Sequence, residues 1–373
     1  MNAFGSSLNS IPVASLAGTV VCWILLRVAS RVARHIGLVD HPRGRKQHSQ
    51  PTPLVGGIAM SIGFLVAVLL LDYGLTPYRF LFAGITVVIV IGVLDDMHEL
   101  APESRLWAQV FAALLMVGGG SVVLEDLGFL LSSDGLLLTG MLAWPITVFA
   151  SVGVINALNM SDGLDGLAAA ITLVVLACLA AFAWAAGDYR ILGLVAILAA
   201  VVAPFLALNL RPDRPALVFM GDAGSMFLGF VLAWLLVQAS QGEQRIMAPV
   251  TALWLFALPL LDTVSTLIRR LLLGRSPFLG DREHIHHLLL AAGLTEKQTL
   301  TVLVAFASVA AGCGLAGHFL AIPEPWMFSA FLALFGLYLW GTMRAWGRGR
   351  LLGRKLPVCS QPVAPQTVAT QRE

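Results

Sequence analysis

Asp95 and Asp96 stand side by side at the end of an apolar run, and the stretches "NALNMSDGLDGLA" (156–168) and "FMGDAGSMFLG" (219–229) set further carboxylates and amides at the junctions of other apolar runs. Two carboxylates at a helix C-terminus repel each other and the partly negative carbonyl end, so a cation is needed beside them, either Lys/Arg or a metal ion. Asn156 and Asn159 lie one helical turn apart and aim their amides the same way. Ser161 or Asp162 is placed to cap the helix that follows, with Asp165 in its first turn. "GDAGSMFLG" opens another apolar run, where helix-start amides freed by small residues can cradle phosphate oxygens while Asp222 holds a divalent ion. The G-x-x-x-x-G-K spacing of a Walker loop is missing. "DREHIHHLL" (281–289) supplies Arg282, His284, His286 and His287; consecutive imidazoles do not readily converge on one tetrahedral zinc, and phosphate or sugar contact suits them better. Arg269, Arg270, Arg275 and Arg282 are expected to make this loop a basic surface.

The elements that must hold these groups are membrane helices. The 373 residues are 58% hydrophobic and 12% charged, with a mean hydropathy of +0.85, which excludes an ordinary soluble globular protein. Crossing the hydrocarbon layer takes about 20 apolar residues per helix. Eleven candidate runs fall near 8–28, 56–72, 78–95, 105–121, 136–156, 164–186, 190–209, 218–238, 247–268, 299–319 and 326–343. The expected fold is therefore an all-α polytopic membrane protein with about 11 transmembrane helices. No basic n-region precedes the first run, which reads as a retained helix and not a cleaved signal peptide. Lys and Arg stay on the cytoplasmic side; an outside N-terminus and a cytoplasmic C-terminus put 20 of the 23 basic residues there, leaving Arg79, Arg190 and Arg245 outside. Residues 1–343 read as one integral-membrane domain and 344–373 as a basic, then disordered, cytoplasmic tail. Its cations suit anionic lipid headgroups better than nucleic acid. The four cysteines show neither metal spacing nor a disulfide framework.

With this topology every polar cluster lands at the cytoplasmic end of a helix or in a cytoplasmic loop, so all can meet in one site, whereas the outer loops hold ordinary polar residues such as Glu125, Asp126 and Asp134. Oxygen donors favour Mg²⁺, with Mn²⁺ the alternative. Carboxylates, a divalent ion and cationic donors suit phosphoryl transfer, in which the protein positions groups and offsets charge, and the membrane setting points to a lipid phosphate as one substrate. A rival reading is a transporter, whose coupling residues would lie near the bilayer midplane in two repeated halves. Here the carboxylates lie at one edge and no half-to-half repeat is evident.

The adjacent aspartates at 95–96, "NALNMSDGLDGLA", "FMGDAGSMFLG" and "DREHIHH", in this order, resemble the polyprenyl-phosphate N-acetylhexosamine-1-phosphate transferases (glycosyltransferase family 4). The likeness extends to about residue 343, and the "HIHH" form is similar to the WecA and TagO branch, not to the three adjacent histidines of the MraY branch. The resemblance implies a bacterial inner-membrane enzyme with its site facing the cytoplasm. It would transfer HexNAc-1-phosphate, most commonly GlcNAc-1-phosphate, from a UDP-sugar to undecaprenyl phosphate. UMP is released, Mg²⁺ is required, and a lipid-linked surface polysaccharide such as O-antigen is begun. Other UDP-HexNAc donors (FucNAc, QuiNAc, GalNAc) and the MraY substrate remain alternatives, and a homodimer is among the assemblies left open. Carried over by residue, Asp222 and Asn159 would ligate the metal, Phe219 would stack on uracil, and Asn209 would take the place of a uracil-facing asparagine. Asp95 and Asp96 would orient or deprotonate the lipid phosphate, and Asp162 and Asp165 would meet the nucleotide sugar or act as base. Lys46, Asn156, Arg282, His284, His286 and His287 would contact substrate.

Overall fold

The computed structural model describes residues 2–41, 51–72, 76–130, 135–138, 140–211, 214–274 and 284–351. Lys46, Arg275, Arg282 and the tail from 352 onward lie outside them. The described chain is helical apart from short irregular stretches and one two-residue antiparallel pair, Val39–Asp40 with Thr52–Pro53.

In chain order the helices are α1 (Asn2–Ile36), α2 (Gly56–Val68), α3 (Arg79–His98), α4 (Pro102–Leu114), α5 (Gly140–Ser161), α6 (Leu167–Ala186), α7 (Tyr189–Asn209), α8 (Gly221–Ser240), α9 (Pro249–Leu255), α10 (Ala257–Leu272), α11 (Ile285–Ala291), α12 (Glu296–Phe319) and α13 (Glu324–Leu351). Among the described residues eight helices are long and apolar enough to cross a membrane, or nine if the α9–α10 pair counts as one span. All eleven apolar runs are helical, but two are short. The 56–72 run yields only the 13 residues of α2. The 105–121 run is α4, which widens into a π turn at Leu115–Gly119, where consecutive glycines weaken the helix. The 247–268 run breaks at Phe256 with an 82° bend, because the ring of Pro259 crowds the carbonyl of residue 255 and offers no N–H to it. The last helix continues past residue 343 to Leu351.

Helix α8 is the central post; 94% of its apolar window is buried inside the protein. Its small residues let neighbouring backbones come close, as in membrane bundles generally. A side chain at Gly57 on α2 would strike the backbone of Gly224, one at Gly92 on α3 would strike that of Ala223, and one at Gly229 would lie 2.7 Å from Cα of Ile155 on α5. Chain direction then brings the ends of α3, α5 and α7 and the starts of α4, α6 and α8 to one end of the bundle.

Candidate active site

The paired aspartates at the end of α3 have different partners. Asp95 is buried, 5% exposed; its Oδ1 accepts from the Leu100 amide at 2.7 Å and its Oδ2 from Arg105 Nη1 at 2.9 Å. The cation required beside the pair is thus Arg105, from the first turn of α4, which also reaches to 3.7 Å from Asp222 Oδ2. Asp96 instead caps α8 from another helix: its two oxygens accept from the amides of Asp222 (2.8 Å) and Ala223 (3.3 Å). Gly221 makes this possible. Its φ of +71° lies in the left-handed region, and a Cβ there would collide with Asp96 Oδ2. These contacts correct one expectation: the amides of Asp222 and Ala223 are already taken by Asp96 and do not stand ready for a phosphate. The Ser225 hydroxyl donates back to Gly221 O.

Asn159, on the last turn of α5, donates through Nδ2 to Asp222 Oδ1 and to Ser225 Oγ at 2.8 Å, so the two residues expected to share a metal ion do meet. Asn156, one turn earlier, faces elsewhere. It donates to Gln109 Oε1 at 2.6 Å, and Gln109 in turn donates to the Met226 sulfur, a polar link between α4, α5 and α8. In the turn after α5 the helix starts later than expected. Ser161 donates back to Ala157 O as the final residue of α5, and α6 begins at Leu167 behind Gly166, with no side-chain cap. Asp162 and Asp165 therefore lie in the turn itself. Desolvation first, then the charges of Asp222, Asp165 and Asp96, push the Asp162 carboxyl well above the usual carboxylate range, the mark of negative charge that the protein balances only in part.

Asn209, buried at the end of α7, uses both ends of its amide on the backbone: Oδ1 accepts from Gly166 at 2.6 Å and Nδ2 donates to Val218 O at 2.9 Å. It ties the Asp162–Asp165 turn to the strand-like approach to α8. Phe219, half-buried in that approach, is held by backbone bonds from its amide to Pro53 O and from the Gly56 amide to its carbonyl. The 52–57 segment thereby borders the site.

The histidine segment docks on the same end. His286 is buried, 2% exposed, and an added Cβ on Gly163 would lie 2.5 Å from its Nε2, so "HIHH" packs directly on the aspartate turn. Burial first, then His287 and His284, push the His286 imidazole down to about 3. His284 is fixed by Asp262 on α10, Nδ1 to Oδ2 at 2.8 Å. The rings of His284 and His286 lie parallel with centroids 6.1 Å apart. Arg269 and Arg270 do not form a basic surface. Both are buried, 6% and 2% exposed, and Arg269 lies over the Trp346 ring at 4.8 Å.

Arg105 and Gln109 are the members that sequence reasoning passed over, while Tyr338 on α13 stands behind the site as a brace to Asp262. Asp262 carried a signal, a lone carboxylate in an apolar helix, which in a membrane protein marks function. Among the described residues no three carboxylate, imidazole or thiol groups could hold an ion alone. The donor set still fits a hard divalent cation, since Mg²⁺ is usually held by one or two protein oxygens and completes its shell with water and phosphate.

The family model described as Glycosyl transferase family 4 matches residues 78–240, the stretch from α3 to α8 that carries Asp95, Asp96, Asp162, Asp165 and Asp222. The chain is 37% identical over 333 residues to the undecaprenyl-phosphate alpha-N-acetylglucosaminyl 1-phosphate transferase of Escherichia coli (strain K12), covering 89% of this chain and 90% of that protein. The proteins of the same name from Yersinia pestis and Haemophilus influenzae are 37% and 39% identical over 331 and 327 residues, covering 88% and 87% of this chain and 90% and 92% of theirs. Both the acidic helix junctions and this full-length similarity assign the chain to glycosyl transferase family 4, among the polyprenyl-phosphate sugar-1-phosphate transferases.

Proposed function

We propose that the protein transfers GlcNAc-1-phosphate from UDP-GlcNAc to undecaprenyl phosphate at the cytoplasmic edge of a bacterial inner membrane, beginning a lipid-linked surface polysaccharide. The observation that carries this reading is Asp222, set at the start of the buried α8 between Arg105 and Asn159 with Asp96 beneath it. A phosphate oxygen of the lipid attacks the β-phosphorus of the donor; the new O–P bond forms as the bond to the bridging oxygen breaks, and UMP leaves with that oxygen. One pyrophosphate linkage replaces another, so alignment is the main task of the protein.

Asp222, with Asn159 beside it, would hold Mg²⁺, and the ion when bound offsets charge on the non-bridging oxygens. Arg105 stands where it can both restrain Asp222 and meet a phosphate, and a guanidinium suits that bidentate task. Asp95 keeps Arg105 in place, and Asp96 holds α8 at fixed height. Asp162 and Asp165, freed from capping, face the substrates from the α5–α6 turn, and the histidine segment closes the far side against the nucleotide sugar. The relatives' names support GlcNAc as the sugar.

Purified protein given UDP-GlcNAc, undecaprenyl phosphate and Mg²⁺ releases UMP and forms the lipid pyrophosphoryl sugar, and chelation stops both. Absence of UMP with UDP-GlcNAc and with every other UDP-HexNAc would overturn the reading; faster release with another UDP-HexNAc would correct only the sugar.

A further inference from the structure

We propose that Asp262 is a positioning residue for the transfer, selecting the proton arrangement of His284 so that its Nε2 is the nitrogen offered to the nucleotide sugar. The inference rests on the reading above, in which the histidine segment meets that substrate.

The Asp262 carboxylate is 8% exposed and divides its two oxygens between two tasks. Oδ1 accepts from the Ile285 amide at 3.0 Å, the first residue of α11, and from the Tyr338 hydroxyl at 3.0 Å, on α13. Oδ2 is reserved for His284 Nδ1 at 2.8 Å. Bracing three helices would need only the first oxygen. The second does something a brace does not: a carboxylate can only accept, so Nδ1 must carry a proton, and Nε2 is left as the working nitrogen. The same arrangement, a carboxylate behind an imidazole, sets tautomer and ring orientation in metal sites and hydrolases. Among the described residues, the charged and titratable neighbours are Arg269 on α10, Tyr338 on α13, and His286 and His287 on α11, and the hydrogen bond at Nδ1 goes to Asp262.

The oxygen-by-oxygen division makes Asp262→Asn a clean perturbation. The retained Oδ1 still accepts from Ile285 and Tyr338, but the new NH₂ can pair with Nδ1 only if the imidazole moves its proton to Nε2. Steady-state UMP release by the purified full chain, with UDP-GlcNAc and undecaprenyl phosphate varied in turn, reads the outcome. The expected result is a fall of about 10- to 100-fold in kcat/KM for the nucleotide sugar, the usual size for a residue that orients another. KM for the lipid and the thermal unfolding midpoint stay near wild type. His284→Ala gives a loss of similar size, and adding Asp262→Asn to it gives no further loss. Tyr338→Phe, which removes a bracing bond but leaves the imidazole pair, changes kcat/KM by less than about threefold. Wild-type kinetics in Asp262→Asn, or losses that multiply in the double variant, overturn the proposal in favour of a simple brace. Should Asp262→Asn fail to fold, Asp262→Glu decides. It keeps a carboxylate but misplaces it, so a loss confined to the nucleotide sugar supports the proposal and a loss shared equally by both substrates overturns it. Wild-type protein that releases no UMP removes the transferase reading itself, whereas a working wild type with an indifferent Asp262→Asn removes this inference alone.

Discussion

Arg105→Met removes one charge from the carboxylate group while keeping most of the aliphatic stem. The guanidinium lies 2.9 Å from Asp95 and 3.7 Å from Asp222, with 32% of its side chain exposed against 4% for Asp95. Two unit charges about 4 Å apart interact with about 4 kcal/mol at an effective dielectric near 20. Solvent at Arg105 reduces this, and we take about 1.4 kcal/mol for the Asp222 contact, a factor of about ten in binding. Arg105 and a divalent ion compete for the same carboxylate, so removing the arginine tightens the ion: the Mg²⁺ concentration giving half-maximal UMP release falls about tenfold. Turnover at saturating Mg²⁺ moves the opposite way. Asp95 keeps the Leu100 amide but is left buried without its cation, breaking a buried pair costs on the order of 3 kcal/mol, and in the proposed reaction the phosphate loses its guanidinium. Together these lower kcat by about a hundredfold. The assay is initial-rate UMP release across a Mg²⁺ titration. A half-maximal concentration that is unchanged or raised would refute the competition, and an unchanged kcat would remove Arg105 from the site.

Asn209→Leu strips partners from the buried Gly166 amide and Val218 carbonyl, each worth about 1–3 kcal/mol when left unsatisfied; the unfolding midpoint in detergent falls together with activity, and a loss of activity alone would show that Asn209 meets substrate directly. Gly57→Ala drives a methyl into the Gly224 backbone and displaces the start of α8, at a cost of about 1–3 kcal/mol in stability; a normal midpoint with normal UMP release would contradict the close packing. His286, held down to about 3 against an ordinary value near 6.5, binds its proton in the unfolded chain well before the folded one. Between those values the folded state therefore loses up to about 1.4 kcal/mol per pH unit on acidification, and thermal midpoints measured from pH 7 to pH 5 should fall more steeply in wild type than in His286→Leu. Equal slopes would refute the buried neutral imidazole.

The helices were legible in hydropathy, because a membrane span needs little beyond length and apolarity. Where the reading overshot, local chemistry intervened: the glycines after Met116 open a π turn, and Pro259 splits the 247–268 run. The acidic motifs stood out for the reverse reason, since carboxylates at helix junctions in so apolar a chain demand compensation. What could not be read was the source of that compensation. The local pattern left the starting amides of α8 free for a phosphate, whereas Asp96, 126 positions away, occupies two of them. Asn209 resembled a substrate contact because no local pattern reveals that Gly166 and Val218 occupy its amide. Arg105 counted only as one more basic residue in a loop until α4 was folded back against the end of α3.

The packing of α8 divides the labour of turnover. A helix sheathed on all sides, with its first turn pinned by a neighbour and glycines on both flanks leaving no slack, offers a stationary anvil and not a jaw. In the proposed reaction two reactants of opposite character, one dissolved in water and one in lipid, would be delivered to that fixed point, which leaves the adjustments that admit each in turn to the segments around its rim.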